Sequence, residues 1–343
     1  MRVNVRPTYP HGFTHEGAPA APMTAEQALR RSVMSCFLYE KEFYEDGEEI
    51  ATRIVRLVSE VDPMVVARLA VEARENGKLR HAPLLLISAL VKSNRCNDHE
   101  HRGLVSNVID RVVTRADQMA ELLAIHAKIN GVGANKIKRV LSAQMKKGLA
   151  KAFRRYDEYQ LAKYDRAGAI RLRDVLFLCH AKPENSGQAD LWRRLVDEKL
   201  AVPDTWEVAL SGGADKKAVF ERLISDGKLG YTALLRNLRN MHQAGCYAGL
   251  VESAIIARNG ASRVLPFRYI AAARAAPQYE RALDTALLAA IGEMPQFSGT
   301  TAILVDVSGS MSEMLSEKSD LTRMDAAAAL AAMWPGRARV FTF

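Results

Sequence analysis

No window of the 343-residue sequence reaches the ~18 consecutive apolar residues that a membrane helix needs. The longest apolar candidate, Pro83 to Val91, is half that length and is flanked by charge. The opening MRVNVRPTYPHG lacks the continuous apolar core of a secretory signal. Only four cysteines occur, Cys36, Cys96, Cys179 and Cys246, dozens of residues apart and outside any zinc or disulfide spacing. They read as buried thiols of a reducing compartment, so the sequence predicts a soluble, cytoplasmic chain with no membrane partner. There is no HExxH pair and no identifiable serine or cysteine triad, and His99 and His101 flank Glu100 without an evident third ligand. An enzyme reading therefore has no constellation behind it. Before Gly299 nothing alternates apolar and polar residues convincingly, which leaves little room for strands.

What is present is helical. At 48% hydrophobic and 25% charged residues the chain can bury a sizeable core. Residues 1–22, with four prolines, two glycines and no periodicity, read as a flexible arm. Thr24 begins the first helix as an N-cap, with Gln27 as its capping-box partner. Ile50, Ile54, Leu57, Val61, Val65, Leu69 and Ala73 recur at mostly helical spacing, and Asp62-Pro63 divides that stretch into two helices. Further helices are predicted at 82–92, 101–114, 116–129, 135–164, 171–180, 189–200, 216–225, 231–243, 247–258, 263–275 and 277–291. Short linkers and no fixed-period repeat imply a bundle or a stack of degenerate helical hairpins. After Gly299 the pattern changes: TTAILVDV reads as a strand, an alanine-rich helix runs from about Arg323 to Trp334, and RARVFTF reads as a second strand. The expected domains are the arm 1–22, a helical domain 23–297 and a β-α-β segment 298–343, which is too small to cover both faces of its sheet and reads as part of a longer unit.

Charge is concentrated. The chain carries a net +9, and residues 131–182 alone hold 13 Lys and Arg against 4 Asp and Glu, a net charge of +9. Read as one helix from Lys136 to Tyr156, this region places Ile137, Leu141, Met145, Leu149, Ala152 and Tyr156 on one face. Lys136, Arg139, Lys147, Lys151 and Arg154 then fall on the other. A cationic stripe without interleaved glutamates suits a phosphate backbone, although a solvated face has the same composition. A second basic region, Lys228 to Arg274, has 7 Lys and Arg against one Glu. Its centre LLRNLRNMHQ buries Leu234, Leu238 and Met241 and sets Arg236, Arg239, Asn240 and Gln243 opposite, suited to RNA or to hydrogen bonds between helices. His180, in FLCHAKP beside Lys182, reads on general grounds as a helix C-terminal cap. Asp306, Ser308 and Ser310 follow the strand TAILV and offer hard oxygen ligands for Mg²⁺ or another divalent cation, or else form a metal-free Ser/Gly turn.

DVSGSM after an apolar strand resembles the metal-ion-dependent adhesion site of a von Willebrand factor A domain, a Rossmann-like α/β fold. KGLAKAFRRYDEYQLAKY, RLRDVLFLCHAKP, ALLRNLRNM and RVLPFRYIAAA, in that order, resemble the TROVE domain of the Ro autoantigen family. The resemblance covers roughly residues 24–343, with the family's glycine-rich segment surviving only weakly as EFYEDGEE. It implies a HEAT-like helical-repeat ring that is not an enzyme. Such a ring takes single-stranded 3′ ends of misfolded non-coding RNA through a basic hole and Y-like RNA on its outer surface, for RNA quality control. It maps Y-RNA contacts onto Lys163 and His180, to which Arg171, Arg173 and Lys182 are added as neighbours by charge and helical position. The implied partners are non-coding RNA and an exoribonuclease reached through that RNA, with no DNA and a monomeric chain. The family's later A-domain metal ligands would fall beyond Phe343. The competing expectations are a helical-repeat scaffold for an acidic protein and an adhesion module resting on Asp306, Ser308 and Ser310.

Overall fold

The computed structural model describes residues 23–34, 47–96, 98–294, 298–315 and 321–343. The expected arm 1–22, Cys36 and most of EFYEDGEE lie outside the described residues. The described chain is mainly α-helical and forms two compact units, Met1–Val202 and Pro203–Phe343.

The first unit contains α1 (Ala25–Met34), α2 (Gly47–Val58), α3 (Pro63–Glu75), α4 (Ala82–Lys92), α5 (Leu104–Val112), α6 (Asp117–Ile129), α7 (Ala143–Phe153), α8 (Glu158–Tyr164), α9 (Leu172–Cys179) and α10 (Ser186–Val196). Local chemistry marks the boundaries. Thr24 and Gln27 form the expected reciprocal cap, with Gln27 N–H donating to Thr24 Oγ1 at 3.2 Å and Thr24 N–H donating to Gln27 Oε1 at 3.0 Å. Asp62 accepts from the amides of Met64 and Val65 at 2.8 and 3.2 Å, and Pro63 occupies the first helical position. The core is built from one face of each helix, with Leu29, Ile54, Leu84, Leu86, Ile109, Met119, Met145, Leu149 and Phe153 completely or almost completely buried.

The long helix expected over 135–164 is not continuous. A 3₁₀ turn, Ala134–Arg139, comes first; Ser142 then caps α7 by accepting from Met145 N–H at 3.2 Å. Asp157 caps α8 through a capping box with Gln160. Each of these side chains competes for the backbone and starts a new helix, which a reading by apolar period alone overlooks. The face assignment survives the break: Ile137, Leu141, Met145, Leu149, Ala152 and Tyr156 are all buried.

The second unit contains α11 (Trp206–Ser211), α12 (Lys216–Ser225), α13 (Tyr231–Gln243), α14 (Ala248–Ala257), α15 (Phe267–Ala275) and α16 (Glu280–Gly292), followed by β1 (Thr300–Val305), α17 (Arg323–Ala332) and β2 (Arg337–Thr342). Helix α11, one and a half turns long, was not expected; Trp206 stacks on Phe220 of α12 with ring centroids 6.3 Å apart. The unit has its own core, centred on Phe220, Tyr231, Leu238, Met241, Val251, Ile255, Tyr269 and Leu283. β1 and β2 pair in parallel from Thr300 opposite Arg337 to Val305 opposite Thr342. Leu304, Val340, Phe341 and Phe343 remain more than half exposed, as expected of a two-stranded sheet that cannot cover its faces. Helix α17 is tied to α15 by a bidentate pair, Arg274 to Asp325 at 3.0 and 2.8 Å, while Asp325 also accepts from Thr322 N–H at 2.9 Å.

Two expectations follow. Gly148 on α7 is buried, and a Cβ there would lie 2.9 Å from Ile109 Cβ and 3.0 Å from Ser106 Cα. Gly148→Ala should therefore destabilise the chain by about 1–3 kcal/mol in a denaturant melt. Arg274 and the Thr322 cap hold the Asp325 carboxyl well below its ordinary value of 3.8. Because the folded value is the lower one, the contribution is complete above about pH 4 and is lost as pH falls through the depressed value. In melts at successive pH values below 4, Asp325→Asn should flatten the stability profile relative to wild type.

Candidate nucleic-acid interface

The basic residues of 131–182 sit on the solvent side of helices whose other sides are buried, but they do not act alike. Lys136 and Arg139 lie on the 3₁₀ turn and Lys147 on α7; all three are exposed and make no ion pair among the described residues. Lys151, also on α7, reaches Asp110 of α5 at 2.7 Å. Arg154, the C-cap of α7, donates from Nε to Lys182 O at 3.1 Å and pairs with Glu184 at 3.3 Å. It thereby fastens the loop that follows α9. The acidic partners absent from the stripe's own sequence come from neighbouring elements, so the reading of an unopposed stripe is corrected for Lys151 and Arg154.

Arg171 and Arg173 are likewise engaged. Arg171 pairs with Asp165 at 2.9 Å and with Glu198 at 2.5 Å, and Arg173 with Glu198 at 2.6 Å. Those hydrogen bonds lower the Glu198 pKa, Arg171 contributing most. Both arginines join α9 to the segment after α10, so their first role is structural. The Arg171–Asp165 pair is largely shielded, whereas the pairs to the exposed Glu198 add little to stability.

His180 ends α9 in the left-handed region, φ 53° and ψ 41°, with its N–H donating to Phe177 O at 3.3 Å. The capping role is thus carried by the backbone, and the imidazole is exposed with no hydrogen bond among the described residues. Lys182 is exposed two residues on, and Phe177, one turn earlier, is 60% exposed. Lys163, on α8, is half-buried; its ammonium donates to Tyr159 Oη at 3.4 Å and lies 5.9 Å from the Tyr164 ring centroid. The other side of this cluster is Arg115, whose guanidinium carbon sits 4.7 Å over Tyr164 while its Nε bonds Asp117 at 3.1 Å. Sequence reasoning missed Tyr159, Tyr164 and Phe177. An exposed aromatic one turn from a candidate cation was the available signal.

In the second unit, α13 divides as expected. Leu234, Leu235, Leu238 and Met241 are buried, and Arg236, Arg239, Asn240 and Gln243 are exposed. Arg239 donates to Ala275 O at 3.3 Å and Asn240 to Asn237 Oδ1 at 3.0 Å, so both already hold internal partners, whereas Arg236 makes no ion pair among the described residues.

A TROVE domain model matches residues 187–290, which takes in α11–α16 and the exposed row of α13. Over residues 187–290 the chain is thus similar to the TROVE domain family. Telomerase protein component 1 is similar at 40% identity over 77 residues in Mus musculus and over 81 in Rattus norvegicus. In each case the match covers 21% of this chain and only 3% of the relative's length. The fold is similar to that of the crystal structure of the Deinococcus radiodurans Ro (RSR) protein, at a TM-score of 0.64 and 18% identity, covering 93% of this chain and 75% of that one. That likeness extends the Ro-type fold beyond the TROVE segment to include the basic stretch 131–182.

At the end of β1, Asp306 Oδ1 accepts from Ser308 N–H at 2.8 Å, and the hydroxyls of Ser308 and Ser310 lie 3.1 Å apart. The Ser308 amide lowers the Asp306 pKa and keeps the carboxylate charged. One carboxylate and two hydroxyls on a single turn fit a hard divalent cation that completes its shell with water.

Cys96, Cys179 and Cys246 are buried free thiols. Burial raises the Cys179 thiol to about 11, which makes it a packing group and not a nucleophile.

Proposed function

We propose that this chain is an RNA-binding protein of the Ro type. Y-like non-coding RNA binds the basic outer surface carrying Lys163 and His180. Single-stranded 3′ ends of misfolded RNA enter the hole of the ring that the resemblance implies, in the service of RNA quality control. The observation that carries the reading is the set of exposed cations without acidic partners among the described residues, Lys136, Arg139, Lys147 and Lys182, on a helical fold similar to a Ro protein. Charges held on a buried scaffold and left unneutralised are suited to a polyanion, because a phosphate restores what no neighbouring carboxylate supplies. The protein works by binding and not by catalysis, in the cytoplasm and as a monomer, with an exoribonuclease recruited through the shared RNA. In the same proposal residues 298–343 begin a von Willebrand factor A domain, with Asp306, Ser308 and Ser310 as its first Mg²⁺ ligands.

Engaging ~6–10 phosphates, the chain should lose ~10³–10⁵-fold in affinity between 50 and 200 mM salt. Fluorescence anisotropy with a labelled Y-like stem-loop checks this, and binding indifferent to salt contradicts it. Lys163→Glu combined with His180→Ser should weaken that stem-loop by at least tenfold more than a single-stranded 3′ tail (each lost charge-assisted contact costing ~1.5–3 kcal/mol). Equal loss for both ligands would refute separate surfaces.

A further inference from the structure

We infer that Tyr159 is a stacking platform for an unpaired RNA base, with Lys163 beside it to take the phosphate of the same nucleotide. The inference deepens the RNA-binding reading and rests on it.

Tyr159 lies on α8, a short helix anchored at its start. Asp157 caps its start, and Glu158 is tied to Arg194 and to the Ala201 amide. Tyr159 is 42% exposed. Its one hydrogen bond among the described residues comes from Lys163, whose ammonium is 3.4 Å from the hydroxyl but 5.4 Å from the ring centroid. The ammonium therefore sits nearer the hydroxyl end of the ring than its centre. Behind it, Lys163 and Arg115 both lie against Tyr164, and Arg115 is anchored to Asp117, which is itself 2.9 Å from Arg80. The result is a row of alternating cations and rings, fixed to α6 at one end and finishing at Tyr159 in solvent. Such a row fixes the terminal ring before any ligand arrives, so little ordering remains to be done on binding.

The electrostatics select the ligand. A flat π face can take a base, an arginine or a methylated lysine. Tyr159 sits within a stretch of net charge +9, which repels a cationic side chain and draws a nucleotide. Lys163 makes no ion pair among the described residues, so its charge is available to a phosphate. A base on Tyr159 with a phosphate on Lys163 uses both features, and stacking of this kind tolerates any base.

The test uses the full chain and two hairpins with one stem sequence, one fully paired and one carrying a single bulged 2-aminopurine. Wild type should quench the 2-aminopurine on binding, and Tyr159→Phe should quench it equally. Tyr159→Leu should abolish quenching and weaken the bulged hairpin about tenfold while leaving the paired hairpin unchanged. Tyr159→Gln provides the same readout should the leucine variant fail its thermal-melt control. If wild type binds the bulged hairpin without quenching, or Tyr159→Leu weakens both hairpins alike, the stacking inference is overturned and the RNA-binding reading stands. If wild type binds neither hairpin, both fall together.

Discussion

Where α7 crosses α5, Gly148 lets the two backbones approach until there is no room for a Cβ between Gly148 and Ile109. That approach sets the rotation of α7 about its own axis. With Met145, Leu149, Ala152 and Phe153 turned into the core, Lys147, Lys151 and Arg154 fall on the outer side of the helix. The same packing fixes the C-terminal end of α7, from which Arg154 reaches the Lys182–Glu184 loop and Arg155 donates to Asp110 O and Val113 O, each at 2.7 Å. The placement of the basic surface is thus a consequence of core packing, since charges this exposed add little to stability.

The fold then sorts the cations into two groups. Lys151, Arg154, Arg171 and Arg173 meet carboxylates contributed by other elements and serve to tie helices together. Among the described residues Lys136, Arg139, Lys147 and Lys182 meet none, and the contacts of Lys163 are to Tyr159 and Tyr164. A surface made only of the first group would be close to neutral and indifferent to phosphate. A surface made only of the second would repel itself. Together they give a rigid frame with a residual positive field, the arrangement that long-range attraction of a polyanion requires.

Much of this was legible in the sequence because apolar spacing reports burial directly. The helices at 82–92, 216–225 and 231–243 coincide with α4, α12 and α13, and each residue assigned to the buried face of the 136–156 stretch is buried. Continuity was not legible there. Ser142 and Asp157 cap new helices inside an uninterrupted apolar rhythm, so one helix was read where a 3₁₀ turn and two helices stand. Pairing across distance was equally hidden: nothing local connects Lys151 with Asp110 or Arg171 with Glu198. His180 shows a third case, in which both readings hold, the backbone closing α9 while the imidazole stays exposed. The Tyr159–Lys163 pair was visible as a one-turn spacing, yet its meaning depended on Arg115 and Tyr164 lying behind it.

The central claim is that the basic surface of residues 134–182 is where RNA is held. Ultraviolet crosslinking of the chain to the RNA that co-purifies with it, followed by mapping of the nucleotide-bearing peptides, tests that claim most directly. The account predicts adducts concentrated on peptides spanning the 3₁₀ turn, α7, α8 and the loop after α9. Protein that purifies free of RNA at low salt, or adducts confined to peptides outside that stretch, would contradict it.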